Sequence, residues 1–175
     1  MHERTLKSRT VFTGRLLTLN VLDVELENKV RSTREVILHP GAAAVLARRG
    51  AGFVLVRQFR KPVESEVLEI VAGCLEKGER PEDCAVREVK EETGYKVASI
   101  VKLGVIWPAI GYSSEVLHLF CAELEDAGGQ QEPDDDEHLQ VVNVTEKELE
   151  GMISRNEIKD AKTVVAWQLW KAGRK

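Results

Sequence analysis

The chain has little cysteine, no net positive charge and no long apolar run. Its three cysteines, Cys74, Cys84 and Cys121, form no C-x-x-C pair and leave an odd count. That spacing argues against a disulfide framework or a thiolate zinc site. No Cys–His couple surrounds them, so they read as small buried fillers rather than nucleophiles. His2, His39, His118 and His138 are scattered without metal-ligand spacing. The formal charge of −4 argues against a nucleic-acid backbone as the main partner. It suits a small anionic ligand if a metal cation accompanies it. No apolar run approaches the roughly 20 residues of a membrane helix. The first residues, MHERTLKSRT, carry no signal-peptide core. The expectation is a cytoplasmic protein with neither nucleic acid nor membrane as partner.

What is present is ordinary for a globular chain. Its 175 residues, 43% hydrophobic and 31% charged, allow one domain with a substantial core and a small extension. Residues 11–38 read as strands: Leu17, Leu19 and Val21 alternate with polar residues, and Val24 and Leu26 lead into a turn at Glu27-Asn28-Lys29. The second of these strands, 33–39, ends at Pro40-Gly41. Residues 42–47 and 53–58 read as a hairpin whose tip carries Arg48 and Arg49 as solvated charges. Glu69 falls between Leu68 and Ile70 in a strand, on the opposite face from both. Strands over 100–107 and 115–124 flank a loop of turn formers, 108–114. Residues 125–138 read as an acidic connector before a strand over 139–144. Thr145 and Glu148 make a capping box for one helix. Asp160 caps another, in which Trp167 and Trp170 supply packing surface.

The stretch 73–95, GCLEKGERPEDCAVREVKEETGY, departs from an ordinary surface helix. Pro81 suits the first helical position, Glu82 and Asp83 suit the positive end of the dipole, and Gly94 suits a left-handed stop. At about 100° per residue, Ala85, Val86, Val89 and Thr93 share a face, with Glu92 on its flank. Glu88 and Glu92 are one turn apart, a like-charge pair costing roughly 0.2–0.5 kcal/mol. Glu91 and Glu92 also lie near the end where the dipole disfavours anions. A helix that gathers carboxylates against both effects serves something besides its own stability. A hard divalent cation such as Mg²⁺ compensates, because it takes carboxylate, water and phosphate oxygens. The rival reading is a solvated charged face with Arg87 and Glu91 as an i,i+4 pair.

The same stretch resembles the Nudix box, G-x5-E-x7-R-E-U-x-E-E-x-G-U, where U is aliphatic. Gly73, Glu79, Arg87, Glu88, Val89, Glu91, Glu92 and Gly94 fall in register, and Tyr95 stands at the last aliphatic position. The resemblance implies an α/β fold, the Nudix α/β/α sandwich with a mixed sheet over 39–175. A small antiparallel sheet over 1–38 would precede it. It implies metal-dependent cleavage of a nucleoside diphosphate derivative by water. Mg²⁺, or Mn²⁺, would be held by Glu88, Glu91, Glu92 and the carbonyl of Ala72. Arg87 would orient the carboxylates and Glu79 would brace loop and helix. Glu137, with Asp135 next, would add a ligand from the acidic loop, and either Glu91 or Glu137 would be the catalytic base.

The flanks STREVILHPGAAAVLA and VRQFRKPVESEVLEIVAG narrow the resemblance to the ADP-ribose pyrophosphatase-like branch. There Arg34, Arg60 and Glu69 would meet the substrate. The rival for Arg34 is an exposed strand arginine, and for Arg60 a structural ion pair with a nearby glutamate. The loop keeps Pro108, Gly111, Tyr112 and Ser113 of the branch's Pro-Ser-Pro-Gly-Phe-Ser, with Ile110 replacing the second proline. Gly111 and Tyr112 would border the substrate, Tyr112 stacking on base or ribose; otherwise Tyr112 closes the core. The branch implies a homodimer with an exchanged N-terminal sheet, acting on ADP-ribose to give AMP and ribose 5-phosphate. Ile110 leaves another nucleotide sugar open. A catalytically silent nucleotide sensor is the rival from a different class, and the intact box glutamates disfavour it.

Overall fold

The run at 42–47 contains no polar side chain, and a strand of that kind needs cover on both faces. A computed structural model, describing residues 2–129, 131 and 138–173, places it in β4 (Ala42–Arg49), with Ala43 to Ala47 wholly inaccessible. β4 runs antiparallel to β5 (Gly52–Arg60) and β7 (Val71–Cys74), and parallel to β9 (Leu117–Gly128). β6 (Ser65–Glu69), β8 (Tyr95–Ile106) and β10 (Gln140–Thr145) complete a seven-stranded mixed sheet. Its central order is β10-β5-β4-β9-β8, with β6 on β5 and β7 on β4. The chain changes partner strands at Ile70. That crossing puts Glu69 beside one layer of helix and Gly73 beside the other.

The two layers follow the strand alternation. α1 (Pro81–Thr93) packs Cys84, Ala85 and Val89 on Ala43, Val45 and Ala47. α2 (Glu146–Ser154) and α3 (Ala161–Ala172) cover the opposite face, packing Leu149, Ala166, Trp167 and Trp170 on Ala44, Leu46 and Phe53. Phe53 meets the two indoles edge-on, with centroids 5.5 and 5.0 Å away. The result is the α/β/α sandwich expected from the sequence. Thr145 and Glu148 form the capping box, Asp160 caps α3, and Gly94 closes α1 with φ 73°.

Four local readings change. The buried arc of α1 centres on Glu92 and Ala85 and takes in Cys84, whereas Val86 is 39% exposed. The helix is rolled toward β7, and the Cys84 thiol lies 3.6 and 3.5 Å from the carbonyls of Gly73 and Cys74. Cys74 itself is only half-buried. The strand expected to stop at residue 124 continues to Gly128, because Tyr95 at the start of β8 pairs with it. Arg48 and Arg49 are not free turn charges. Arg48 pairs with Glu123, and Arg49 sits 4.8 Å over the Tyr95 ring and donates to the Asp126 carbonyl. Tyr95, where the box pattern has an aliphatic residue, is thus a platform for Arg49.

A second compact unit comprises Met1–Gly41 and Trp107–Val116. It contains an antiparallel sheet in the order β1 (Glu3–Thr13), β2 (Thr18–Leu26), β3 (Arg31–Leu38). β1 is exposed along its whole length, so its first half carries no burial pattern legible in sequence. The segment 107–116 joins this unit through backbone bonds: Ile37 donates to Tyr112 at 2.7 Å, and Ser114 donates to Ile37 at 2.9 Å. A boundary at 38/39 would leave that segment with the larger domain. Among the described residues, no helix is long and apolar enough to cross a membrane.

Candidate active site

Arg87 is the hub of the box. Its Nε and Nη2 hold the two oxygens of Glu79 at 2.9 and 3.0 Å. Nη1 donates to Glu88 at 2.6 Å and Glu91 at 3.0 Å, and Nη2 also reaches the Cys74 carbonyl at 3.2 Å. Glu79 additionally accepts from the Glu76 backbone at 2.9 Å, so one carboxylate ties the loop 75–80 to the helix. These bonds raise the Arg87 pKa, led by the hydrogen bond to Glu79. Burial pushes the Cys84 thiol up to about 12, which removes it as a nucleophile.

The hydrogen bond from Arg87 leads in bringing the Glu79 carboxyl down from 4.5 to about 2. A carboxyl depressed on folding contributes stability that is complete above its unfolded pKa and lost as pH falls through the folded one. We therefore expect Glu79→Gln to melt below wild type at neutral pH in metal-free buffer. The gap should close between pH 4.5 and about 2. Melting curves across that range check it, and a gap unchanged by pH would refute it.

The other box carboxylates differ in setting. Glu92 is only 3% exposed, whereas Glu91 lies at the rim of the helix. Glu88 rests on Gly73 so closely that a Cβ there would stand 1.8 Å from Oε1 and 2.4 Å from Oε2. Gly73 is absent from the positive-φ glycines, so close approach explains the residue and backbone freedom does not. Ala72 precedes it in β7, opposite Ala44. Among the described residues no three carboxylate, imidazole or thiol groups form a ready-made metal cage; here Arg87 bridges Glu88 and Glu91. The donor set still fits a hard divalent cation. It is all oxygen, one carboxylate is buried, and another is seated against a loop backbone that only glycine permits.

Arg60 and Glu69 come together. Arg60 donates through Nε at 2.7 Å and Nη2 at 3.0 Å to the two oxygens of Glu69, which is 1% exposed. Lys162 of α3 also pairs with Glu69, and with Asp160 at 3.0 Å. Sequence reading passed over Lys162 because no local pattern links it to a glutamate 93 residues away. Asp160 capping Thr163 was the only nearby signal.

Arg34, Gly111 and Tyr112 lie in the N-terminal unit. Arg34 makes a fork with Glu3 at 3.1 and 2.6 Å and a bond to Ser32 at 3.0 Å. Tyr112 is 58% exposed, so it does not close a core. Glu137 and Asp135 lie outside the described residues.

A model of the NUDIX domain matches residues 37–168. The chain is 42% identical over 170 residues to an ADP-ribose pyrophosphatase of Bacillus subtilis, covering 96% of this chain and 92% of that one. It is 41% identical over 171 residues to a methanol dehydrogenase activator of Bacillus methanolicus, with 95% and 91% covered. To a GDP-mannose pyrophosphatase of Yersinia enterocolitica it is 33% identical over 175 residues, with 93% and 90% covered. The crystal structure of an ADP compounds hydrolase superposes with a TM-score of 0.87 at 25% identity, over 98% of this chain and 94% of that one. With its box in register, its sandwich fold and these relatives, the chain belongs to the Nudix family.

Proposed function

We propose that the chain hydrolyses the pyrophosphate bond of ADP-ribose, giving AMP and ribose 5-phosphate. The reaction class follows from membership: the chain is a Nudix pyrophosphohydrolase whose relatives include an ADP-ribose pyrophosphatase and a GDP-mannose pyrophosphatase. The chemistry is supported by Glu79, Glu88 and Glu91 gathered on Arg87, and the observation that favours ADP-ribose is the 42% identity to an ADP-ribose pyrophosphatase over 96% of the chain. A divalent ion, Mg²⁺ or Mn²⁺, would neutralise charge on the phosphate oxygens and acidify a bound water. Glu88, Glu91, Glu92 and the Ala72 carbonyl would hold it, with Glu137 a further donor. Arg87 keeps Glu88 and Glu91 oriented before the ion arrives. Glu79 fixes Arg87 and ties the loop to the helix. Glu91, the most exposed of the three box carboxylates, or Glu137 accepts the proton of the attacking water. Arg60 turns its outer edge to the pyrophosphate, where a guanidinium matches two oxygens at once.

In this reading the enzyme is a cytoplasmic homodimer. The N-terminal unit supplies Arg34, Gly111 and Tyr112 to substrate bound by a second subunit. Exposure of β1, with Leu6, Val11 and Phe12 facing outward, supports a covering partner copy, and three free thiols suit a reducing compartment. A second reading keeps the chemistry and changes the sugar. Ile110, 80% exposed, stands where the branch marker proline would be, and GDP-mannose pyrophosphatases are among the relatives. Phosphate release after coupled phosphatase treatment, over a panel with ADP-ribose, GDP-mannose and other nucleoside diphosphate sugars in Mg²⁺, decides. ADP-ribose is expected to give the highest kcat/KM. A different leader overturns the substrate, and an inert panel overturns the reaction.

A further inference from the structure

Glu69 is an anion in the protein interior, and an interior carboxylate must be matched by positive charge. Arg60 alone would match it, but its guanidinium would then be the sole cation covering that carboxylate. The structure adds a second cation. Lys162, its side chain 15% exposed, reaches from α3 to Glu69 Oε2 and is shared with Asp160. Arg60 uses Nε and Nη2 on Glu69, and its Nη1 makes no hydrogen bond among the described residues. The Arg60 side chain is 40% exposed. Burial works against its charge, while Glu69, Glu92 and Asp160 hold it up. Arg60 and Lys162 against Glu69 and Asp160 make a neutral group of four. Removing Lys162 leaves that group with a net negative charge.

We infer that Lys162 is a positioning residue for the hydrolase: it offsets Glu69 so that the outer edge of Arg60 stays available to a phosphate of the substrate. This rests on the functional reading above. Lys162 touches no substrate and acts through Glu69. The α3 N-terminus is the platform that makes this possible. Asp160 caps the helix by accepting from Thr163 N at 3.0 Å, and Thr163 Oγ1 in turn accepts from Ile70 N at 2.9 Å. The residue after Glu69 is thereby bolted to the turn that carries Lys162.

Two variants of the full chain test it, Lys162→Met and Asp160→Asn. Each removes one charge, of opposite sign, and asparagine still caps a helix well. The readouts are kcat and KM for ADP-ribose with Mg²⁺, and the Kd of AMP in EDTA by calorimetry. Lys162→Met is expected to raise KM and the AMP Kd about tenfold with a smaller change in kcat. Asp160→Asn is expected to leave both unchanged or lower them. A brace with no electrostatic role would weaken binding in both variants or in neither, and either result overturns the inference. If Lys162→Met does not fold, weaker AMP binding by Asp160→Asn overturns it and equal or tighter binding supports it. A wild type that hydrolyses nothing in the panel removes the functional reading as well. An active wild type with Lys162→Met within twofold in both constants removes this inference alone.

Discussion

Replacing Glu92 with glutamine is expected to lower kcat for nucleotide-sugar hydrolysis about 10³-fold, on the order of 4 kcal/mol of transition-state stabilisation. Glu92 is the box carboxylate held deepest, at 3% exposure, on the flank of α1 that faces the sheet. Glutamine keeps its volume and removes its charge, so packing stays and the capacity to hold a divalent cation falls. A buried carboxylate is costly to the apo fold. The melting temperature in EDTA should therefore stay level or rise in the variant, while stabilisation by added Mg²⁺ shrinks. That opposition separates a functional carboxylate from a structural one, since a structural residue would lose stability and activity together. Activity within tenfold of wild type would remove Glu92 from the metal site.

Gly73→Ala is the second large effect, about a 10²-fold loss of kcat/KM with a stability change under roughly 1 kcal/mol. The added methyl would stand 1.8 Å from Glu88 Oε1, far inside contact distance. The backbone accepts alanine there because its φ is not positive. What must yield is the end of a flexible side chain, so Glu88 swings out and its bond to Arg87 at 2.6 Å is broken. Glu79 still anchors Arg87 through two hydrogen bonds, which keeps the loop in place. A melting curve close to wild type beside a steep loss of turnover is the expected pair of results. Normal turnover would mean that Glu88 works from a different position and that the Gly73 contact has no part in catalysis.

Much of this protein is determined by short-range signals and was legible in the chain. Pro81 and Gly94 bound α1 because one has no N–H to lose and the other tolerates φ 73°. The runs at 42–47 and 53–58 announce the β4–β5 hairpin, and Thr145 with Glu148 announces α2 within four residues. The carboxylates of α1 stand out because they violate local helix electrostatics, and a functional reading needs nothing more distant than one turn. Tertiary structure alone decided the rest. The roll of α1, which buries Cys84 and exposes Val86, depends on the space left by Gly73 in a neighbouring strand. The partners of Arg48 and Arg49 depend on how far β8 and β9 run together. For Arg60 an ion pair with a nearby glutamate was one of two readings, but nothing local named Glu69 as that glutamate. Their pairing, and the arrival of Lys162, depends on the crossing at Ile70 that brings β6 against α3. Helix and turn signals act over a few residues through backbone geometry. Ion pairs between distant segments exist only after the sheet has chosen its partners, because charge attracts at contact distance regardless of position in the chain.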